Sequence, residues 1–389
     1  MAPKKKTTTP MVSDETLRHG KEVVTSLEGI AREVYDKIAG TQIPSISLPT
    51  RTKGNIVFSE KDQVWKYGAL ETQRTAKTLE GAYMLARTMY SVDFIKQMIA
   101  ESKSSTLREM YYISEGWGLA KFHAQDESDK LIEDLEIRSK QMREELRLRP
   151  EENGASIIGN ITIEEVNRKG VKKKFNCRDD VGDGGYGIPY NVEKEKLKFV
   201  NWDAKFIICV ECGGMHDRLA ENGFDEKEGA ILVHLKGQPA RCTRRLIKRM
   251  STECKLPVVV FTDGDPWSFR IFASVAYGAI KTAHISEYLA TPEAQFVGVT
   301  PSDIENYKLP SDKLNDQDIR ALKAELSDPR FRGQVVTRKS DGRDIMWEDE
   351  IKLQLEMGKK SEQQALAKYG LNFVTENYLP EKLSEIGIL

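Results

Sequence analysis

The sequence predicts an α/β multidomain protein, helical at its front and built on a parallel sheet in its second half. Three observations predict this. Residues 14–39 and 75–100 carry apolar side chains at helical spacing. A polar break and a second short helix follow, the outline of a helix-turn-helix unit. From residue 203 onward, continuous apolar runs alternate with helical stretches. Such runs are strands buried on both faces, and alternation with helices makes them a parallel sheet. At 389 residues the chain has room for two or three domains, each with its own core.

The elements follow in order. MAPKKKTTTP opens residues 1–13, which read as a disordered basic tail with no apolar stretch to make it a secretory signal. Residues 14–69 hold a helix and short strands. Leu17, Val24, Leu27, Ala31, Val34 and Ile38 mark the helix, and Gly40 ends it. ISLPTRTKGNIVFSEKDQVWKYG alternates and is broken by Pro and Gly, as short strands are.

Residues 70–175 read as a winged-helix domain. Leu79, Ala82, Leu85, Met89, Phe94 and Met98 set the first helix, and ESKSS breaks it. TLREMYYISEGWG starts a new helix capped by Ser105 or Thr106. A charged helix covers about 127–147, and ASIIGNITIEEVNRKGVKKKFN is the hairpin expected as the wing. Residues 176–202 read as a linker. Gly182 to Gly187 matches G-x-G-x-x-G, but no strand feeds it and Pro189 follows it, so it is a loop rather than a dinucleotide site.

Residues 203–389 hold AKFIICV, AILVHL, PVVVFT and QFVGV as strands, with helices between them and a charged helical extension behind. No apolar run approaches the ~18 residues of a membrane span. The five cysteines are scattered and odd in number, which argues against a disulfide framework and for a reducing compartment. Cys209 and Cys212 lack the second pair that a zinc site needs. Net charge is −1, yet RCTRRLIKR places five cations in nine residues. Arg241, Arg245 and Lys248 share a helix face there, either a solvated face or a phosphate-binding one.

Two apolar strands run into acids: FIICV into Glu211, and VVVFT into Asp263 with Asp265 two residues later. Ligands of open α/β sheets gather beyond the carboxyl ends of parallel strands. Three carboxylates converging there repel, and a divalent cation relieves the repulsion. Hard oxygen donors favour Mg²⁺. Asp265 before Pro266 is equally a helix N-cap.

The doublet Tyr111-Tyr112 needs its own account. Helical neighbours point about 100° apart, so only one of the two faces a core. Arg108 stands four residues before Tyr112, on its face. Either both tyrosines simply pack, or Tyr112 is the candidate nucleophile, with Arg108 beside it to stabilise charge on a phosphate, and Tyr111 is the packing residue.

TLREMYYIS, VECGGMHDRL and FTDGDPWSFRIFASVAYGA, in that order, resemble the A subunit of the archaeal type IIB DNA topoisomerase VI, a relative of the meiotic double-strand-break transesterase. The likeness extends to QALAKYGLNFVTENYLP, so it spans nearly the whole chain. It implies a catabolite-activator-like winged helix joined to a Toprim domain. It implies Tyr112 as the residue that forms a 5′-phosphotyrosyl link, assisted by Arg108. Glu211, Asp263 and Asp265 match the Toprim glutamate and D-x-D pair, with Mg²⁺ as cofactor. The partners implied are double-stranded DNA, a second copy of this chain, and a separate ATPase B subunit in an A₂B₂ assembly with no membrane. The location implied is cytoplasmic and nucleoid-associated. The chain shows no G-x-x-x-x-G-K-[ST], in keeping with ATP hydrolysis on the other subunit. The amphipathic helix at 14–39 is either a docking element for that partner or an ordinary intrachain helix. Other readings are a break-only transesterase of the meiotic type, a non-catalytic winged-helix DNA-binding protein, and a Toprim nuclease or primase that leaves free ends.

Overall fold

The structure is a computed structural model that describes residues 14–149, 155–167, 171–339 and 342–389. The tail expected over 1–13 lies outside them, as do the first three residues of RKGVKKK.

The front of the chain packs three long helices into one core. α1 (Asp14–Ala39) buries Val23, Leu27, Ile30 and Val34 and leaves Ile38 exposed, so the buried stripe is offset from the expected one at Val24 and Ala31. Each aliphatic side chain so buried contributes roughly 1.5–3 kcal/mol before chain entropy is counted. β1 (Ser45–Pro49), β2 (Ile56–Ser59), β3 (Val64–Tyr67) and β4 (Glu71–Thr75) form two small antiparallel pairs, β1 with β4 and β2 with β3. α2 (Leu79–Ala100) is capped by Thr78. β5 (Ser105–Thr106) leads straight into α3 (Leu107–Ile113), and α4 (Gln125–Ser139) packs on it. β6 (Leu148–Arg149) returns to pair in parallel with β5. α4 stops eight residues before the expected end at 147. Lys140 turns into the left-handed region, and the Arg143 N–H donates to the buried Glu136 carboxylate at 2.8 Å instead of to a helical carbonyl.

The next segment departs most from expectation. β7 (Ser156–Ile158) joins the large sheet rather than a wing. β8 (Ile161–Val166) and β9 (Lys172–Asn176) do form a hairpin, but its third strand is β11 (Leu197–Trp202), from the stretch expected as a linker. β10 (Tyr186–Gly187), the end of the G-x-G-x-x-G run, pairs with β7, and no helix opens from it. Gly185 sits there at φ +69°, and a Cβ on it would meet Ile157 O at 2.6 Å. Gly185 serves a close strand approach, while Gly182, Gly184 and Gly187 face open space. The linker reading failed because LKFVNW, one-sidedly buried, alternates too weakly to stand out from its polar surroundings.

The large sheet has the order β10-β7-β13-β12-β14-β15. β12 (Phe206–Val210), β13 (Ala230–His234), β14 (Val258–Phe261) and β15 (Gln295–Gly298) run parallel, and they are the four apolar runs of the sequence. Between them come α5 (Gly213–Glu221), α6 (Phe224–Glu228), α7 (Arg241–Cys254), α8 (Pro266–Ala276) and α9 (Ser286–Leu289). The C-terminal extension, α10 (Pro301–Asn306), α11 (Asp316–Glu325), α12 (Trp347–Met357) and α13 (Leu379–Glu385), covers both faces. Trp347 and Ile351 lie in the core with Phe269 and Phe296 on one side, while Tyr378, Leu379 and Leu383 pack with Phe261 and Val297 on the other. No helix among the described residues is long and apolar enough to cross a membrane.

Candidate catalytic and metal-binding site

α3 is only seven residues long, so its ends decide its stability. Thr106 caps it: Oγ1 accepts from the Glu109 N–H at 3.0 Å, while Glu109 Oε2 accepts from the Thr106 N–H at 2.7 Å. Met110 is fully buried and anchors the helix. Tyr111 is half-buried against the front core, its ring 5.4 Å from that of Tyr112. Tyr112 is 58% exposed, and Arg108, one turn earlier, is exposed too. The helix therefore offers one guanidinium and one phenol on its outer face.

The acids lie at the carboxyl edge of the sheet. β12 and β14 are direct neighbours, with Val210 opposite Phe261, so Glu211 and Asp263 leave the sheet side by side. The Asp263 N–H donates to Glu211 Oε2 at 3.1 Å. Asp265 caps α8, with Oδ1 accepting from the Ser268 N–H at 2.7 Å and Pro266 at the first helical position. Burial raises the Glu211 carboxyl above the ordinary range, and the Asp265 charge adds to this. Burial also pushes Asp263 up to about 7, with Glu211, Asp265 and Glu362 repelling its charge. Glu362, from the far C-terminal extension, was invisible to sequence reasoning. It lies about a hundred residues on, and no motif surrounds it.

As the side chains stand, no three His, Cys, Asp or Glu groups among the described residues form a ready metal cage. The acids are instead tied individually to main-chain N–H groups, as like charges without a counterion are. The donor set still fits a hard divalent cation. All its donors are carboxylate oxygens, and Asp263, whose pKa is raised first by burial and then by the charges of Glu211, Asp265 and Glu362, sits among negative charge that a cation would offset. Cys209 is fully buried, and Cys212 caps α5 through its sulfur.

The basic helix turned out differently. Arg241 donates to Glu136 at 2.6 Å and lies 3.4 Å from Glu144. Arg245 makes a two-bond fork with Glu193, each bond 2.7 Å, and stacks on Tyr288. The phosphate-binding reading of these two is corrected: carboxylates of this chain already occupy them. Helical spacing showed a shared face but not what faces it. Glu136 is 1% exposed, and although burial opposes its ionisation, Arg241, His284 and Arg143 hold its carboxyl well below the usual range. Because Glu136 sits on α4 and Arg241 on α7, the cluster clamps the tyrosine-bearing helices to the sheet domain. Lys248 lines a groove with Lys61 and Arg338.

Comparison with known families places these features. Residues 206–383 match the Toprim domain of the topoisomerase 6 A-subunit/Spo11 family, 151–203 the all-beta domain of the DNA topoisomerase VI alpha subunit, and 83–148 the type IIB DNA topoisomerase family. The middle match coincides with the β7–β11 region. The chain is 57% identical to the type 2 DNA topoisomerase 6 A subunit of Archaeoglobus fulgidus over 94% of its length and 97% of the relative's. It is 53% identical to that of Haloarcula marismortui over 96% and 99% of the two chains. The corresponding protein of Methanosarcina acetivorans is 55% identical over 93% and 94%.

Proposed function

The chain belongs to the family of type 2 DNA topoisomerase 6 A subunits, and from that premise we propose how its own residues cleave and rejoin DNA. It is the DNA-cleaving subunit of a type II DNA topoisomerase. The observation that carries the residue assignment is the exposed Arg108–Tyr112 pair on a helix held by an N-terminal capping box, set in the same chain as a buried acidic strand edge.

Tyr112 Oη attacks a DNA phosphorus. The bond from phosphorus to the 3′ oxygen breaks, that oxygen takes up a proton, and the 5′ phosphate stays on the tyrosine. One ester replaces another, so the bond energy is kept and the reverse step rejoins the strand. Arg108 places its charge beside the phosphate oxygens. Glu211, Asp263 and Asp265 would hold Mg²⁺, which would supply positive charge to offset that developing on the phosphate and the leaving oxygen. The short α3, carried in a winged-helix unit, presents the pair to the duplex.

One chain supplies one candidate nucleophile, and a duplex has two strands. A homodimer with its two-fold axis on the duplex therefore makes the double-strand break. ATP hydrolysis belongs to a separate B subunit in an A₂B₂ assembly. Such a protein works in the cytoplasm with the nucleoid. A Toprim nuclease would leave free ends and have no use for an exposed tyrosine beside an arginine.

The test is denaturing-gel detection of covalent protein–DNA adducts with the ATPase partner, Mg²⁺, an ATP analogue and supercoiled DNA. An adduct on the 5′ end lost only in Tyr112→Phe supports the assignment. Loss only in Tyr111→Phe moves the nucleophile by one residue. No adduct from a folded complex that still binds DNA removes the transesterase.

A further inference from the structure

The acidic edge has a fourth carboxylate, delivered by a segment outside the strands. Residues 361–364 cross the loop that follows β14 and are bonded both to it and to the loop that follows β12. The Gly264 N–H donates to Ser361 O at 2.8 Å, the Gln363 N–H donates to Asp263 Oδ1 at 2.8 Å, and Gln364 Nε2 donates to Cys212 Sγ at 3.1 Å. Behind them Gln354 Nε2, from α12, donates to Gly264 O at 2.7 Å. The segment is thus stapled to both acid-bearing loops.

Glu362 sits between the staples. Its backbone is extended, with φ −86° and ψ 156°, and its side chain does not cap the turn that follows. The carboxylate is exposed and makes neither ion pair nor hydrogen bond among the described residues, yet its charge bears on Asp263. The bonds made by Ser361 and Gln363 on either side hold the Glu362 backbone at the acidic edge.

We propose that Glu362 is a positioning residue of the divalent-cation site, adding its charge to that of Glu211, Asp263 and Asp265 and so raising cation affinity. The inference rests on the reading that those three acids hold the cation. Magnesium keeps much of its water and takes only one or two carboxylates directly, so a further acid acts at one remove. An exposed charge at one remove acts through water, so its effect on affinity is roughly a few-fold.

The test is Mn²⁺ titration of the assembled complex, with free ion read by electron paramagnetic resonance. Glu362→Gln is expected to weaken Mn²⁺ binding roughly two- to fivefold at low ionic strength. Glu362→Asp keeps the charge and is expected to retain most of the affinity. Glu60→Gln, which removes an exposed acid from the β2–β3 turn, is expected to change nothing. Melting in EDTA should be the same for wild type and Glu362→Gln. Loss of binding in Asp263→Asn with none in Glu362→Gln would overturn this inference and leave the three-acid site standing. Unchanged binding in Asp263→Asn as well would remove the site itself.

Discussion

The Asp263 N–H donates to Glu211 Oε2 at 3.1 Å, joining the ends of two neighbouring parallel strands. The two acids are far apart in sequence, and this one bond fixes their spacing. The bond by itself favours the ionised Glu211; burial is what raises both carboxyls above their ordinary range, with Asp265 adding to the shift at Glu211 and Glu211, Asp265 and Glu362 adding to that at Asp263.

That coupling gives the protein a pH signature. The folded Asp263 carboxyl sits at about 7, above its ordinary value, so the folded state holds a proton that the unfolded chain has lost. By linkage this residue's contribution to stability declines as pH rises from about 4 to about 7. Asp263→Asn should gain stability relative to wild type across that window, read as the difference in melting temperature at each pH. Added Mg²⁺ should displace the proton, so its stabilising effect on wild type should grow towards pH 7 and be small in the Asn variant. A melting difference that is flat with pH would count against the coupling.

Exposed Tyr112 has little packing to lose. Tyr112→Phe should stay within about 0.5 kcal/mol of wild-type stability while abolishing covalent capture of DNA. Tyr111→Ala, by contrast, removes a half-buried ring from the front core and should destabilise by about 1–3 kcal/mol. Chemical denaturation separates the two.

Thr106→Ala removes one arm of the capping box. The expected loss is about 1 kcal/mol locally, and it falls on the helix that carries Tyr112. DNA cleavage should slow although no reacting group has changed. Faster hydrogen exchange confined to residues 107–113 is the accompanying readout.

The clamp between α4 and α7 should behave as a buried ion network. Glu136→Gln leaves Arg241 without its main countercharge and should destabilise by about 3–5 kcal/mol. Adding Arg241→Met to the same chain should restore much of the loss, since the pair is then replaced by apolar contact. Single Arg241 variants should leave the salt dependence of DNA binding unchanged if they still fold, because a paired arginine releases no counterion. A shallower salt slope would return Arg241 to the DNA-binding surface.

Sequence alone determined the features that periodicity and short motifs encode. The four parallel strands were legible because strands buried on both faces are uniformly apolar, as few other short elements are. The exposed side of α3 was legible because Arg108 and Tyr112 lie one turn apart. The acids were legible because each closely follows a strand. Tertiary structure alone decided what depends on residues far apart in the chain. It placed β7 and β10 in the large sheet and a strand in the expected linker, since pairing partners leave no mark on a short, half-buried segment. It turned the basic face of α7 inward, because a row of cations looks the same whether water or Glu136 and Glu193 stands opposite. It also brought Glu362 beside Asp263, an encounter set by the path of the C-terminal extension across the sheet edge and by no pattern near either residue.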